Sequence, residues 1–401
     1  MAVNRLNVGA TNQLLAKAST GQSTNILELQ NTAGVTVAGV DASGNGVGGL
    51  AHPPTFKNLI INGAMQVAQR GTSVTGVTSG GYLTADRWNT TVSSLGTWTQ
   101  TSENDAPTGS GFRKSTKILC TTADASPSAG DYMIFNQAIE GQNVQHLLKG
   151  TSSAKQLTIS FWVKSNVTGT YIVEMEDRDN SRDVSASYTI NASATWEKKT
   201  ITFPADTTGA LDNDNAASFA VYFWLGAGST YTGGSSLQTS WGTGTNTRAV
   251  GQTNLAASTN NYWQVTGVQL EVGNTATEFE FLPADVELAR CQRYYFRNTA
   301  DVVYAIMGHG AAKTSTLGYI NFPTPTQLRT TPSSIDWSTL QLWEYDESAF
   351  NVTVLTIVST FANKNNIGIV ATVASGLVAN VPLLLVANNS ATAYVGISAE
   401  L

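Results

Sequence analysis

Leu157-Thr-Ile-Ser-Phe-Trp-Val-Lys164 places Leu157, Ile159, Phe161 and Val163 on one side of an extended chain and Thr158, Ser160 and Trp162 on the other. Successive side chains of a strand point to opposite faces, so this alternation predicts a strand with one face in a core. The theme returns in Thr170-Tyr-Ile-Val-Glu-Met-Glu176, Lys199-Thr-Ile-Thr-Phe203, Phe219-Ala-Val-Tyr-Phe-Trp-Leu225 and Trp263-Gln-Val-Thr-Gly-Val-Gln-Leu-Glu-Val272. Short strands recurring between polar turns predict an antiparallel sandwich, most simply closed as a jelly roll, and a mainly β chain.

Composition agrees. Ser, Thr and Asn make up roughly 30 % of the 401 residues and Gly adds 36, a bias toward strands and turns. Charged residues are only 12 %, about half the share in an average soluble chain. Thirty-five aromatic residues need a core and argue against disorder. A net charge of −6 disfavours nucleic acid as a partner, because neutralising phosphates takes clustered Lys and Arg. The N-terminus lacks the apolar segment of a signal peptide, which predicts synthesis in a cytoplasm. The uncharged stretch from Asn365 to Ala399 is broken by Gly368, Ser375, Gly376, Asn380 and Pro382. It therefore predicts two buried strands around a Ser375-Gly376 turn, with no membrane insertion.

Working outward, three regions emerge. In residues 1–55, Asn25-Ile-Leu-Glu-Leu-Gln30 and Val35-Thr-Val-Ala-Gly-Val40 predict a β-ribbon. A lone ribbon cannot bury a core, so this one is expected to pack on copies of itself. Residues 56–284 hold the jelly roll. In residues 285–401 a short linker helix leads into a C-terminal β-sandwich-like unit. The helix is predicted over Pro283–Tyr295, with Pro283 at its first position, Asp285 and Glu287 in its first turn, and Leu288, Cys291, Gln292 and Tyr295 on one face.

Motifs for chemistry are scarce. Gly44-Asn-Gly-Val-Gly-Gly49 matches G-x-G-x-x-G as a string, but Leu-Ala-His-Pro-Pro follows where a helix would have to start. Three histidines in three separate segments make a His-based triad or metal site improbable, and Cys120 and Cys291 could form at most one disulfide. Asp177-Arg-Asp-Asn-Ser-Arg-Asp183 alternates oxygen ligands as a calcium loop does, but lacks the loop's Gly and its terminal Glu. It reads as a hairpin tip, with an ion there left open; no cofactor is expected. The Gly226–Asn261 loop carries one charge, Arg248, and two large aromatics, Tyr231 and Trp241. Loops of this length are uncommon unless functional or disordered. Tyr231 and Trp241 are therefore the candidate carbohydrate-binding residues, ahead of Trp337, Trp343 and Tyr345.

Several segments resemble bacteriophage tail-fibre proteins whose central module is similar to carbohydrate-binding jelly rolls. They are Asn58-Leu-Ile-Ile-Asn-Gly-Ala-Met-Gln-Val-Ala-Gln-Arg70, Tyr82-Leu-Thr-Ala-Asp-Arg-Trp88, Val265-Thr-Gly-Val-Gln-Leu-Glu-Val-Gly273, Ala276-Thr-Glu-Phe-Glu280 and Glu287-Leu-Ala-Arg-Cys-Gln-Arg-Tyr-Tyr295. The ending Tyr394-Val-Gly-Ile-Ser-Ala-Glu-Leu401 and the β-ribbon are also similar to fibre segments, and such ribbons form homotrimers. The resemblance implies a structural virion protein, not an enzyme. It would be a trimeric tail fibre or adhesin, held to other virion proteins through residues 1–55 and contacting host surface polysaccharide. A head fibre or capsid decoration protein, favoured by the short N-terminal region, and a tailspike-like polysaccharide depolymerase stay open as alternatives.

Overall fold

The computed structural model describes residues 27–30, 36–40, 46–48, 56–332 and 334–401. Contacts divide the chain into two units, Met1–Lys57 and Asn58–Leu401. In the first, β1 (Leu27–Gln30) pairs antiparallel with β2 (Thr36–Val40), Leu27 lying opposite Val40. β3 (Gly46–Gly48) adds to the other edge of β2. The middle of the G-x-G-x-x-G string is therefore strand, a conformation that cannot wrap a phosphate. The turns expected on either side of β2 lie outside the described residues.

The second unit begins with twelve strands: β4 (Ser73–Val77), β5 (Gly80–Tyr82), β6 (Asn89–Ser93), β7 (Thr97–Glu103), β8 (Ser115–Thr122), β9 (Tyr132–Glu140), β10 (Leu157–Ser165), β11 (Gly169–Asp177), β12 (Arg182–Ile190), β13 (Glu197–Phe203), β14 (Ala217–Ala227) and β15 (Tyr262–Val272). They form two six-stranded antiparallel sheets, β13-β10-β15-β8-β7-β4 and β12-β11-β14-β9-β6-β5. Leu157, Ile159, Phe161 and Val163 of β10 face the core between them, as their alternation requires. That core is aromatic. Trp88 stacks on Phe135 at 4.8 Å, and Phe161 meets Tyr188 and Phe223 edge-on at 5.0 Å. Cys120 is buried here and Cys291 beside Ile61 and Tyr294, both as free thiols.

A four-residue helix, α1 (Ser229–Thr232), lies in the long loop after β14. The linker helix is α2 (Ala284–Gln292), with Pro283 as its N-cap in extended conformation. The start is one residue later and the end three residues earlier than expected, so Tyr295 opens the next strand instead of sharing the helix face; Asp285 and Glu287 keep their places in the first turn, where the helix dipole favours acids.

Beyond α2, β16 (Tyr295–Thr299), β17 (Ile306–Ala312), β18 (Leu317–Pro323), β19 (Ser334–Ser338), β20 (Leu340–Glu344), β21 (Ala349–Ile357), β22 (Asn366–Val373), β23 (Pro382–Ala387) and β24 (Tyr394–Ser398) complete the fold. β16-β24-β19 make a small sheet, and β17-β18-β22-β21-β20-β23 close into a barrel. The expected sandwich-like unit thus closes on itself, which leaves its six strands without a free edge. The two apolar runs are strands β22 and β23, set apart in the barrel by β17 and β18 on one side and β21 and β20 on the other. Among the described residues no helix is long and apolar enough to cross a membrane.

Jelly roll and barrel are joined through charge. The Glu140 carboxylate accepts from Arg293 Nε and Nη2, both at 2.8 Å, and from the Tyr294 hydroxyl. Burial pushes its pKa up, but those hydrogen bonds outweigh it and hold Glu140 below the usual carboxylate range. Glu400, past β24, pairs with Arg70 at 3.2 Å and with Arg87.

Candidate functional site

The Gly226–Asn261 loop folds back over the outer face of the sheet containing β11 and β14. There Ile134, Ala138, Ile172, Ala220, Tyr222 and Trp224 form a second apolar cluster, which Ala249, Tyr231 and Leu237 of the loop cover. An exposed apolar sheet face would invite association, and the loop removes that exposure.

The two expected site residues end up in different places. The Tyr231 ring packs 5.2 Å from both Tyr132 and Trp224. Trp241 packs against the main core instead. Its indole N–H donates to the Pro204 carbonyl at 2.8 Å, and the Lys149 ammonium sits 4.9 Å from its ring centroid. The structure does not bring the two rings together, and both fasten the loop. Of the second group, Trp337 packs on the barrel core. Trp343 meets Tyr304 at 5.4 Å, while Tyr345 is 92 % exposed.

The Asp177–Asp183 turn already holds a cation of its own. Lys149 Nζ pairs with Asp177, lies 2.9 Å from Asp206, and donates to the Thr208 and Gly209 carbonyls at 3.0 Å. An ammonium ringed by four oxygens thus compensates Asp177, the first carboxylate of the turn. Among the described residues no cluster of three or more His, Cys, Asp or Glu side chains is placed to hold a metal.

Between this turn and the loop lies an open cleft of about 440 Å³. Glu176, Arg178, Asn180, Ser181 and Asp183 line one wall; Thr243, Thr245 and Arg248 line the other. Arg248, the one charge of the loop, joins the two walls. Its guanidinium pairs with Glu174, which is fully buried, and reaches Glu176 at 3.2 Å and Asp183 at 3.9 Å. Trp224 Nε1 donates to Glu174 at 3.1 Å, and the Ser185 hydroxyl donates to the Arg248 carbonyl at 2.7 Å. Glu176 also accepts from the Tyr222 hydroxyl and from Arg178 Nε at 3.1 Å. Asp183 exchanges backbone hydrogen bonds with Gly242 at 2.9 and 3.0 Å, which ties the loop to the β12 edge.

Burial drives the Glu174 pKa up to about 7, with Asp183 and Glu176 adding to the rise and Arg248 opposing it. Burial likewise brings Asp183 to about 6. Each carboxyl therefore holds its proton more tightly folded than unfolded. Between about 4.5 and about 7 the folded chain binds more protons through Glu174 than the unfolded chain does. That contribution to stability accordingly falls as pH rises through the window, and levels off above it. Glu174→Gln is expected to flatten the pH dependence of the unfolding midpoint between about pH 4.5 and 7. An unchanged slope would assign the dependence to other groups, such as Asp86, which burial raises to about 6.

No family model matches the chain, and no curated protein does. Among solved structures it is similar to the enzymatically active domain of tailspike protein 4 of bacteriophage CBA120, with 14 % identity over 56 % of this chain and a TM-score of 0.30. The chain spans only 22 % of that protein's length. It is also similar to a carbohydrate-binding module in complex with β-1,4-galactotriose, at 7 % identity over 54 % of this chain and 99 % of that one, TM-score 0.27. A family 11 carbohydrate-binding module from Clostridium thermocellum, in complex with a β-1,3-1,4-mixed-linked tetrasaccharide, gives 12 %, 50 %, 100 % and 0.27. Likeness at this level supports no conclusion about function. The fold described above defines the class, a mainly β chain of jelly roll and barrel.

Proposed function

We propose that the chain is a structural, non-catalytic subunit of a phage virion fibre and that its jelly roll binds host surface saccharide in the cleft between the Asp177–Asp183 turn and the long loop. One observation supports the cleft above all. Its charges are compensated internally, Arg178 and Arg248 by Glu176, Glu174 and Asp183, while Thr243 and Thr245 stand exposed on its rim. Such a surface offers paired donors and acceptors with its charges largely compensated, which suits a hydroxyl-rich neutral ligand. Tyr231 and Trp241 serve this site by holding the loop that forms one wall. The ribbon of β1–β3 is the segment we assign to trimerisation and to attachment to other virion proteins, because a ribbon of this size needs partners to bury a core.

Thr243→Ala with Thr245→Ala is expected to abolish adsorption of the protein to host cells or their purified polysaccharide while the unfolding midpoint stays within a degree or two. Undiminished binding by a folded double variant would remove the cleft from the proposal. Light scattering is expected to give three times the chain mass; a monomer at micromolar concentration refutes the trimer. Incubation with the same polysaccharide is expected to release no new reducing ends, and their appearance would make the protein a depolymerase.

A further inference from the structure

The Ala276–Glu280 motif and the start of α2 meet at a second pocket, of about 370 Å³, on the jelly roll. Phe279, Phe281, Leu282, Leu288 and Ala68 give it apolar walls; Glu287 and Glu280 supply carboxylates, and Gln66 and Gln69 line the rest. Phe281 is 50 % exposed and Leu288 36 %. An exposed ring is ordinarily free to turn, but this one is braced. Phe279 lies 4.8 Å and Phe112 5.1 Å from it, and Phe112 meets Phe279 edge-on at 4.8 Å.

Two glycines make room for that trio. At Gly267, φ is +63° and an added Cβ would lie 2.5 Å from Phe112 Cζ; at Gly111, φ is +86° and the distance to Phe281 Cζ would be 3.1 Å. Gly267 sits where β15 bulges against β10, the register slipping between Ser160 and Trp162. Backbone geometry is thus arranged to fix an aromatic face that the fold leaves half in water. Glu287 accepts the Asn62 backbone N–H through Oε1 and is half-buried, so its carboxylate is positioned before any ligand arrives.

We infer that this pocket is a second saccharide site, for a sugar bearing an apolar substituent of the acetamido type, with the ring on Phe281, the methyl group against Leu282 and Leu288, and a hydroxyl or amide N–H donated to Glu287. A pocket of this size with largely apolar walls and a few polar groups is the usual form of a small-ligand site. An unsubstituted hexose would leave the aliphatic walls wet, which makes the acetyl group the discriminating feature. The inference goes beyond the cleft and does not depend on it.

Saturation-transfer NMR on the full chain, with N-acetylglucosamine and glucose as probes, tests it. The expected result is transfer to the acetyl methyl of the first and little to the second. The signal should be lost in Phe281→Ala, which empties the platform, and in Ala68→Leu, which fills the pocket. It should persist in the Thr243→Ala, Thr245→Ala variant, so failure here and failure of the cleft are separable. No transfer in the native protein, or transfer that survives both pocket substitutions, overturns the proposal. A fall in solution mass in Phe281→Ala without any sugar signal overturns it in favour of a seat for a second copy of the chain.

Discussion

Arg248→Ala is expected to destabilise the protein by about 3–5 kcal/mol, because breaking a buried ion pair from one side leaves the other charge without compensation. Glu174 has no exposed surface, and Glu176 and Asp183 stand close enough to raise its pKa further. Without the guanidinium, three carboxylates share one wall and the loop loses its charged tie to β11, keeping the hydrogen bonds of Gln252 and Thr253 to that strand. The measurement is urea unfolding of the full chain at pH 8 and pH 5. At pH 5 the orphaned Glu174 can protonate, so the deficit should shrink; an equal loss at both values would mean that Arg248 acts by packing alone. Limited proteolysis supplies a second reading, since cleavage within the loop should accelerate only in the variant. Arg248→Met with Glu174→Leu should recover much of the loss, as apolar replacement of both partners is often nearly neutral.

This pair also marks the limit of what could be read from sequence. Strand positions were legible because alternation is a local signal; Leu157–Val163 announces both its conformation and its buried face. The helix at Ala284–Gln292 was legible from Pro283 and its acidic first turn for the same reason. The cleft was not. Glu174 and Arg248 lie 74 positions apart, and only the path of the loop across β11 brings them together. The available clue was that one charge stood in a long neutral loop. A lone arginine there is either solvated or the partner of something buried, and spacing along the chain does not distinguish the two. Aromatic content directed the reading toward Tyr231 and Trp241, and sequence alone did not show where their rings would pack. Large rings in a polar loop find the nearest apolar surface, and here the jelly roll offers Trp224 on one side and Phe219 on the other. Barrel closure was hidden for a related reason, since β22 reads the same whether its neighbours belong to a sandwich or to a ring.

Glu400→Ala is expected to cost a similar amount, about 3–5 kcal/mol, and in addition to uncouple the two halves of the second unit. Arg87 is 1 % exposed, donates to the Ala138 carbonyl at 2.8 Å and lies 3.5 Å over the Tyr294 ring. Those contacts orient the guanidinium, but only Glu400 neutralises it among the residues that pair with it. Arg329 secures the same tail by donating to the Ala399 and Glu400 carbonyls at 2.8 and 2.7 Å and to Asn215 of the jelly roll at 2.8 Å. The backbone of the tail would therefore stay close while its charge is lost, which separates the electrostatic effect from simple detachment. Calorimetry on the native chain should show residues 58–401 melting in one transition, and Glu400→Ala should split it in two, with the barrel and jelly roll unfolding apart. Glu400→Gln keeps an acceptor for Arg87 but not the charge, and should fall between the two. A single unshifted transition in Glu400→Ala would show that the Glu400 charge does not carry the coupling, and would move the link between the halves to Glu140 with Arg293 and Tyr294 and to Arg329.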